Sequence, residues 1–145
     1  MIALLQRVSK ASVSVDGKMI ARIDSGLLVF VGVQKGDREK QALRLSERIL
    51  GYRVFEDNRG RMNLSLSDTR GGLLLVPQFT LAADTDRGMR ASFTPAAAPD
   101  VAGELFELVA SSAAKTHGKV LRGQFGADMQ VALVNEGPVT FWLEC

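Results

Sequence analysis

Residues 26–34 have the sequence GLLVFVGVQ, an apolar run that follows a glycine. A continuous apolar run of this length is typical of a strand that is covered on both faces, so it predicts the central strand of a sheet. Upstream, residues 3–23 alternate apolar and polar side chains around Asp16-Gly17. Because this pair tolerates the positive φ of a tight turn, we expect two antiparallel strands there.

Downstream, residues 42–49 have the periodicity of a helix. Ala42, Leu45 and Ile49 recur at helical spacing. Asp37 precedes them and is the candidate N-cap, since a side-chain carboxylate can accept from the first backbone N–H groups. We expect this helix to end near Gly51.

A second helix is predicted from about Asp100 to Gly118, because glycine commonly follows the last helical residue. Its inner stripe should consist of Leu105, Leu108, Val109 and Ser112. The segment before it, residues 82–100, is rich in alanine, glycine and proline. A long irregular segment of this kind favours a functional loop.

The other segments predict strands. They are residues 52–55 (YRVF), 71–77 (GGLLLVP), 119–126 (KVLRGQFG), 129–135 (MQVALVN) and 139–144 (VTFWLE). Pro77 should end its strand, because proline has no N–H for a ladder. Together these elements predict an α+β fold: a single domain over residues 1–145, with two helices on one side of a curved, barrel-like, mainly antiparallel sheet.

The composition excludes several classes of protein. The only cysteine is Cys145, so no internal disulfide can form, and we expect a reducing, cytoplasmic location. One histidine and one cysteine are too few for a zinc site, and we expect no metal and no cofactor. No apolar run is long enough to span a bilayer. The net charge of +2 predicts that only a small part of any RNA partner is bound.

Few side chains are obvious candidates for catalysis. His117 lies at the predicted end of the second helix, where a histidine can cap carbonyls, so we expect a structural role. Thr80 directly follows the apolar strand, and it is either a nucleophile or an ordinary β-branched residue at a strand end. Gly137-Pro138 separates two predicted strands, and the local sequence favours a turn there.

Four motifs, in this order along the chain, resemble those of the D-aminoacyl-tRNA deacylase family. They are ALLQRVSKASVSVDG (3–17), PQFTLAADT (77–85), GMRASFTPAAAP (88–99) and FGADMQVALVNEGPVT (125–140). The resemblance extends along essentially the whole chain. It implies a homodimer of a layered α/β/β fold that hydrolyses the ester between a D-amino acid and the 3′-terminal adenosine of tRNA, a chiral proofreading reaction.

The resemblance also implies site residues. Gln78, Phe79 and Thr80 match the family's stretch that begins with Ser-Gln and lines the catalytic pocket. Gly137 and Pro138 match a Gly-Pro pair whose cis peptide reaches into the partner subunit's pocket, where two rigid backbone carbonyls would hold the substrate ammonium and exclude an L side chain.

Met129 matches a methionine beside the family's pocket. The chain departs from the family pattern at Pro77, where serine is expected, and at Ala91, where proline is expected. Pro77 lacks the hydroxyl and the N–H of a serine, so substrate range is the property it affects. A related animal deacylase for L-alanyl-tRNA has Pro-Gln in this place but lacks the phenylalanine found here at Phe79.

The sequence is compatible with more than one mechanism and more than one function. Because no histidine base is available, the 2′-OH of the terminal ribose is expected to assist the reaction, and Thr80 as a direct nucleophile is the rival. Backbone N–H groups near Phe79 and Thr80 are candidates for an oxyanion site. The other functions considered are a deacylase for mischarged glycyl- or L-alanyl-tRNA and a binder of charged tRNA ends without turnover.

Overall fold

The computed structural model describes residues 1–145 as eight strands, three α-helices and one 3-10 helix. The strands are β1 (Ile2–Val15), β2 (Lys18–Ile23), β3 (Gly26–Gly32), β4 (Phe55–Glu56), β5 (Met62–Leu64), β6 (Gly72–Pro77), β7 (Val120–Arg122) and β8 (Gln130–Glu144). The α-helices are α1 (Glu39–Gly51), α2 (Leu66–Thr69) and α3 (Pro99–Thr116), and the 3-10 helix is Phe79–Ala82. The predicted α+β class is confirmed.

The long strand β1 organises the main sheet, because both of its edges are paired. Along one edge it pairs antiparallel with β3 and then with β2, and along the other edge it pairs antiparallel with β8. The predicted hairpin is present: Asp16 and Gly17 connect β1 to β2 with φ values of 49° and 74°. Both values lie in the left-handed region that a tight hairpin turn requires.

The other half of the main sheet is parallel. The order β2-β1-β3-β6-β7 places β3 in the middle, as its apolar sequence predicts, and β3 pairs parallel with β6, which pairs parallel with β7. Parallel neighbours need long crossovers, and α1 and α3 lie in these crossovers. Because β2 also comes within 8 Å of β6 and β7, the sheet curls into a nearly closed, barrel-like shape.

Alternate residues of β3 and β6 belong to two different hydrophobic cores. Leu27 and Val29 pack in the core that includes the buried faces of α1 and α3. Leu28 and Leu74 pack in a second core, formed with residues of β1 and β2. A strand buried on both faces has no polar positions, which explains the continuous apolar run at residues 26–33 and gives the α/β/β layering.

The predicted cap of the first helix is wrong. Arg38 is the N-cap residue of α1, and the Asp37 carboxylate instead accepts from the Met1 ammonium (2.7 Å) and from the Gln34 N–H (2.7 Å). A buried ammonium is a stronger partner for a carboxylate than a neutral N–H, so the charge pair takes precedence over the cap. The helix ends at Gly51, as expected.

The segment after α1 is less regular than predicted. Of residues 52–55, only Phe55 lies in a strand, and β4 pairs with β5 as a separate two-stranded sheet. The short helix α2 was not predicted. Its N-cap Ser65 shares reciprocal hydrogen bonds with Asp68, and these bonds lower the pKa of the Asp68 carboxyl.

The second long helix largely matches the prediction. In α3, Leu105 and Val109 are buried, whereas Leu108 and Ser112 are only half-buried. The buried face is completed by Ala102, Phe106, Ala110 and Ala113. Residues 83–98 before it contain no helix or strand, as expected of a loop. None of the helices combines the length and the apolar character needed to cross a lipid bilayer.

The prediction of a turn at Gly137-Pro138 is wrong, because residues 130–144 form the single strand β8. Both halves of β8 pair antiparallel with β1, so the chain does not reverse direction. Only Arg7 lies between Gln6 and Val8 on β1, whereas residues 136–139 lie between their partners on β8. The extra residues bulge out of the ladder and carry Gly137-Pro138 away from the sheet.

Candidate active site

A pocket of ≈ 470 Å³ lies where β6 ends. Three segments of chain meet around it: the end of β6 with the start of the 3-10 helix, the start of α3 with the loop before it, and the connection from β7 to β8. The lining residues are Val76, Pro77, Gln78, Phe79, Ala97, Pro99, Ala102, Phe125, Gly126, Ala127, Asp128, Met129 and Val131. Most of this lining is apolar, and Asp128 is its only ionisable side chain.

The pocket wall at residues 77–80 is shaped by the end of β6. Pro77 is the last residue of the strand, and the Gln78 N–H donates to the carbonyl of Val31 (2.8 Å) before the 3-10 helix begins. Gly32 makes this turn possible. A Cβ on Gly32 would lie 2.9 Å from the Cβ of Leu81, too close for the helix to pack against β3.

Gln78 and Thr80 are joined by a hydrogen bond in which the Gln78 amide donates to the Thr80 hydroxyl. Thr80 does not line the pocket, although its neighbours Gln78 and Phe79 do. The amide Nε2 is a donor and cannot accept the hydroxyl proton. This contact therefore positions the Thr80 hydroxyl but supplies no base to it.

Met129 belongs to the part of the lining that follows β7, and it helps to hold the connection between β7 and β8. Its sulfur accepts from the Gln124 N–H at 3.3 Å. It also packs on Gly123, where an added Cβ would lie 2.8 Å from the sulfur and 3.5 Å from the ring of Pro77. Met129 and Pro77 thus bring the two walls into contact through the backbone of Gly123.

Gly137 and Pro138 do not line this pocket. Both residues are exposed, their peptide bond is cis, and Gly137 has a φ of 134°. A Cβ on Gly137 would lie 2.8 Å from Cγ2 of Val139 and 3.0 Å from Nη2 of Arg7. Position 137 therefore requires glycine both for its backbone conformation and for the space around it.

Two side chains that the sequence analysis missed hold the Gly137-Pro138 bulge. Arg7 is only 8% exposed, and its guanidinium donates to the carbonyls of Glu136 (3.0 Å) and Val54 (2.7 Å). Asn135 accepts from the Val139 N–H (2.8 Å). A signal for Arg7 existed: it follows Ala3 and Leu5 on the inward positions of β1, where an arginine needs buried partners.

The other ionisable candidates lie away from the pocket. His117 is 3% exposed, and its Nε2 lies 2.7 Å from the carbonyl of Gly71, so it ties the end of α3 to the start of β6. The structural role expected of His117 agrees with this contact. No three His, Cys, Asp or Glu side chains come together in a group that could hold a metal ion.

Comparisons with known proteins agree with the motifs. Residues 4–144 match the family model described as D-Tyr-tRNA(Tyr) deacylase. A D-aminoacyl-tRNA deacylase of Thioalkalivibrio sulfidiphilus is 67% identical over 144 residues, covering 99% of this chain and 97% of the relative. Another from Klebsiella pneumoniae is 54% identical over 144 residues and covers 99% of both chains.

Solved structures show the same fold. A structure titled c-Myc DNA Unwinding Element Binding Protein has a TM-score of 0.95 at 36% identity and covers 100% of this chain and 99% of its own. A structure of a probable eukaryotic D-amino acid tRNA deacylase has a TM-score of 0.83 at 17% identity, covering 98% of this chain and 97% of its own, which supports the fold alone. With the full-length match to the family model, these findings show that the chain belongs to the D-aminoacyl-tRNA deacylase family.

Proposed function

We propose that this chain hydrolyses the ester that links a D-amino acid to the 3′-terminal adenosine of tRNA. The observation that carries this proposal is the convergence of motifs on one pocket. Residues from 77–85, 88–99 and 125–140 all line it, and the motif at 3–17 supplies Arg7, which holds the Gly137-Pro138 bulge. Motifs far apart in sequence therefore contribute either to the pocket or to the bulge.

The pocket has a surface that suits a nucleoside. Ala97, Ala102 and Phe125 offer apolar walls against which a planar base can pack, and the volume falls within the range of ordinary ligand sites. Gln78 and Phe79 belong to the same lining but come from the segment that follows β6. We assign the adenosine to the apolar walls and the ester to residues 78–80.

The chemistry proposed for this site draws on the RNA itself. The lining contains no histidine, lysine, cysteine, serine or threonine. Water adds to the ester carbonyl, the bond to the ribose 3′ oxygen breaks, and the vicinal 2′-OH relays the proton that this oxygen needs. Phe79 and Thr80 are the first residues of the 3-10 helix, where backbone N–H groups lack intrahelical acceptors. Donors of this kind stabilise an oxyanion by about 3 kcal/mol each.

A second copy of the chain is proposed to complete the site. Gly137 and Pro138 are exposed and lie outside the pocket of their own chain, so a role for them at a pocket requires a neighbouring copy. Val134 and Trp142 are large apolar residues exposed on the same strand. Exposed apolar side chains beside such an element favour an interface, and a two-fold dimer would place each bulge against the partner's pocket.

In this dimer the bulge distinguishes the two hands of the amino acid. The carbonyls of Gly137 and Pro138 would accept hydrogen bonds from the substrate ammonium, and the backbone around them would leave no room for an L side chain. Selection by exclusion does not depend on contacts to the D side chain. The enzyme should therefore accept D-amino acids of different sizes and also glycine, which has no side chain to exclude.

The deciding experiment is a time course of ester cleavage measured against spontaneous hydrolysis. We expect accelerated cleavage of D-Tyr-tRNA and Gly-tRNA and no acceleration for L-Tyr-tRNA. Binding of D-Tyr-tRNA without faster cleavage would identify a non-catalytic binder instead. L-Ala-tRNA belongs in the same assay, because Pro77 replaces the serine of the family pattern; faster cleavage of L-Ala-tRNA than of D-Tyr-tRNA would favour the L-alanyl alternative.

A further inference from the structure

Two phenylalanine rings lie in contact on the surface beside the pocket. The ring centroids of Phe79 and Phe93 are 5.0 Å apart, and the ring planes are inclined by 54°. Phe79 is 57% exposed and Phe93 is 46% exposed. Phe79 also lines the pocket, whereas Phe93 does not. The pair therefore extends the apolar surface of the pocket outward into solvent.

The backbone holds Phe93 in this exposed position. Asp84 and Ser92 pair through two backbone hydrogen bonds (2.8 and 2.9 Å), which close the loop before Phe93. After it, the Ala96 N–H donates to the Phe93 carbonyl at 3.0 Å. Backbone hydrogen bonds thus order the chain on both sides of Phe93, which is 46% exposed. Its exposed face is available to a ligand.

We infer that Phe79 and Phe93 form a stacking platform for the nucleobase that precedes the terminal adenosine of the tRNA, a role that rests on the deacylase function proposed above. If the terminal adenosine fills the pocket, the preceding nucleotide must leave past its rim, and Phe79 forms part of that rim. Single-stranded ends carry unpaired bases, and every base has a face that can stack on an aromatic ring.

Two arginines on the loop before Phe93 also favour a nucleotide as the ligand of this surface. Arg87 and Arg90 lie between Asp84 and Ser92 and form no ion pair within the chain. Guanidinium groups near a stacking surface can contact the phosphates that join successive nucleotides.

The test compares a long and a short substrate. D-Tyr-tRNA contains the preceding nucleotide, whereas 3′-O-D-tyrosyl-adenosine lacks it. Phe93→Ala should raise KM for D-Tyr-tRNA by about 5- to 150-fold, the range expected when an aromatic residue that stacks on one base is removed. Cleavage of the short ester should be unchanged. Phe93→Trp should restore KM, and Phe93→Leu, which keeps apolar volume without an aromatic face, should not.

Two controls make the comparison specific. Met89→Ala alters a fully exposed residue of the same loop that is outside the ring pair, and it should leave both substrates unaffected. A D-Tyr-tRNA with an abasic nucleotide before the terminal adenosine should bind the wild-type enzyme more weakly by at least the factor that Phe93→Ala costs, because it loses the contact with both rings. Combining the abasic substrate with Phe93→Ala should add no further loss.

Several outcomes would overturn the stacking role. An equal effect of Phe93→Ala on the short ester would mean that the ring contacts the adenosine or the tyrosyl group. If Phe93→Ala changes KM for neither substrate, the ring has no stacking role. If sedimentation shows that the wild type is a dimer and Phe93→Ala is not, the contact between Phe79 and Phe93 belongs to an interface instead. If the wild type accelerates neither ester, the proposed function itself is wrong, and the platform has no purpose.

Discussion

Substitutions of Arg7 should show that the chain can still fold when its Gly137-Pro138 bulge is displaced. The Arg7 guanidinium is the buried donor for the carbonyls of Glu136 and Val54. Its ion pair with Glu56 is long, at 3.9 Å, and the Glu56 side chain is exposed, so this pair adds little. The two carbonyl contacts therefore dominate the effect of any substitution.

The magnitude follows from these two contacts. Leaving the buried carbonyl of Val54 without a donor costs about 1–3 kcal/mol, and losing the part-buried bond to Glu136 costs about 0.5–1.5 kcal/mol. Arg7→Met should therefore lower the free energy of unfolding by about 1.5–4.5 kcal/mol. Arg7→Lys keeps the charge but lacks the fork that reaches both carbonyls. It should cost about 1–3 kcal/mol and leave a folded protein with a displaced bulge.

The assay pairs denaturant unfolding with cleavage of D-Tyr-tRNA and L-Tyr-tRNA. A displacement of about 1 Å at a positioning element can cost on the order of a hundredfold in rate, so Arg7→Lys should lose about ten- to a hundredfold in D-Tyr-tRNA cleavage and some of its discrimination between the hands. Arg22→Lys, at an exposed ion pair with Asp24, is the matched control and should change neither measurement. A folded Arg7→Lys enzyme with unchanged rate and unchanged discrimination would refute the reasoning.

The same site gives three further predictions. Gly137→Ala should cost about 1–3 kcal/mol of stability because of the positive φ, and it should abolish most D-Tyr-tRNA cleavage, whereas Gly51→Ala, with open space around it, should leave cleavage intact in the same assay. Thr80→Ala should retain much of the cleavage rate while a substrate without the terminal 2′-OH is nearly inert; a trapped acyl-threonine would reverse this conclusion. Because the net charge is only +2, a log-log plot of binding against salt should be shallow, and a slope typical of ~6–10 phosphate contacts would contradict it.

Much of the fold could be predicted from local patterns. Which faces of an element are buried sets the spacing of its apolar residues. This explains the alternation in β1 and β2, the continuous apolar run of β3 and the helical spacing in α1, and it is why these elements could be predicted. The prediction of two strands separated by a turn at Gly137-Pro138 failed because glycine and proline have the same local preferences in a bulge as in a turn. Only the pairing of both halves of β8 with β1 distinguishes the two.

The candidate site was predicted in part. Pro77, Gln78, Phe79 and Met129, which the family resemblance names, line one pocket, and Thr80 does not line it. Their roles in the reaction stay predictions. The apolar walls from Ala97 and Phe125 were not predicted, because alanine and phenylalanine carry no chemical signal in a sequence. Their contribution depends on where α3 and the connection from β7 to β8 are placed.

The sequence by itself determined the α+β class, the order of most elements, the family and the residue types at residues 77–80 and 137–138. Periodicity and motifs are properties of neighbouring residues, so they can be read without knowing the fold. The tertiary structure alone decided that Arg7 supports Glu136, that Asp37 binds the Met1 ammonium, and that Gly137-Pro138 lies outside its own pocket. These contacts join residues up to 129 positions apart, and the sheet pairing that brings them together is set by the packing of the whole chain.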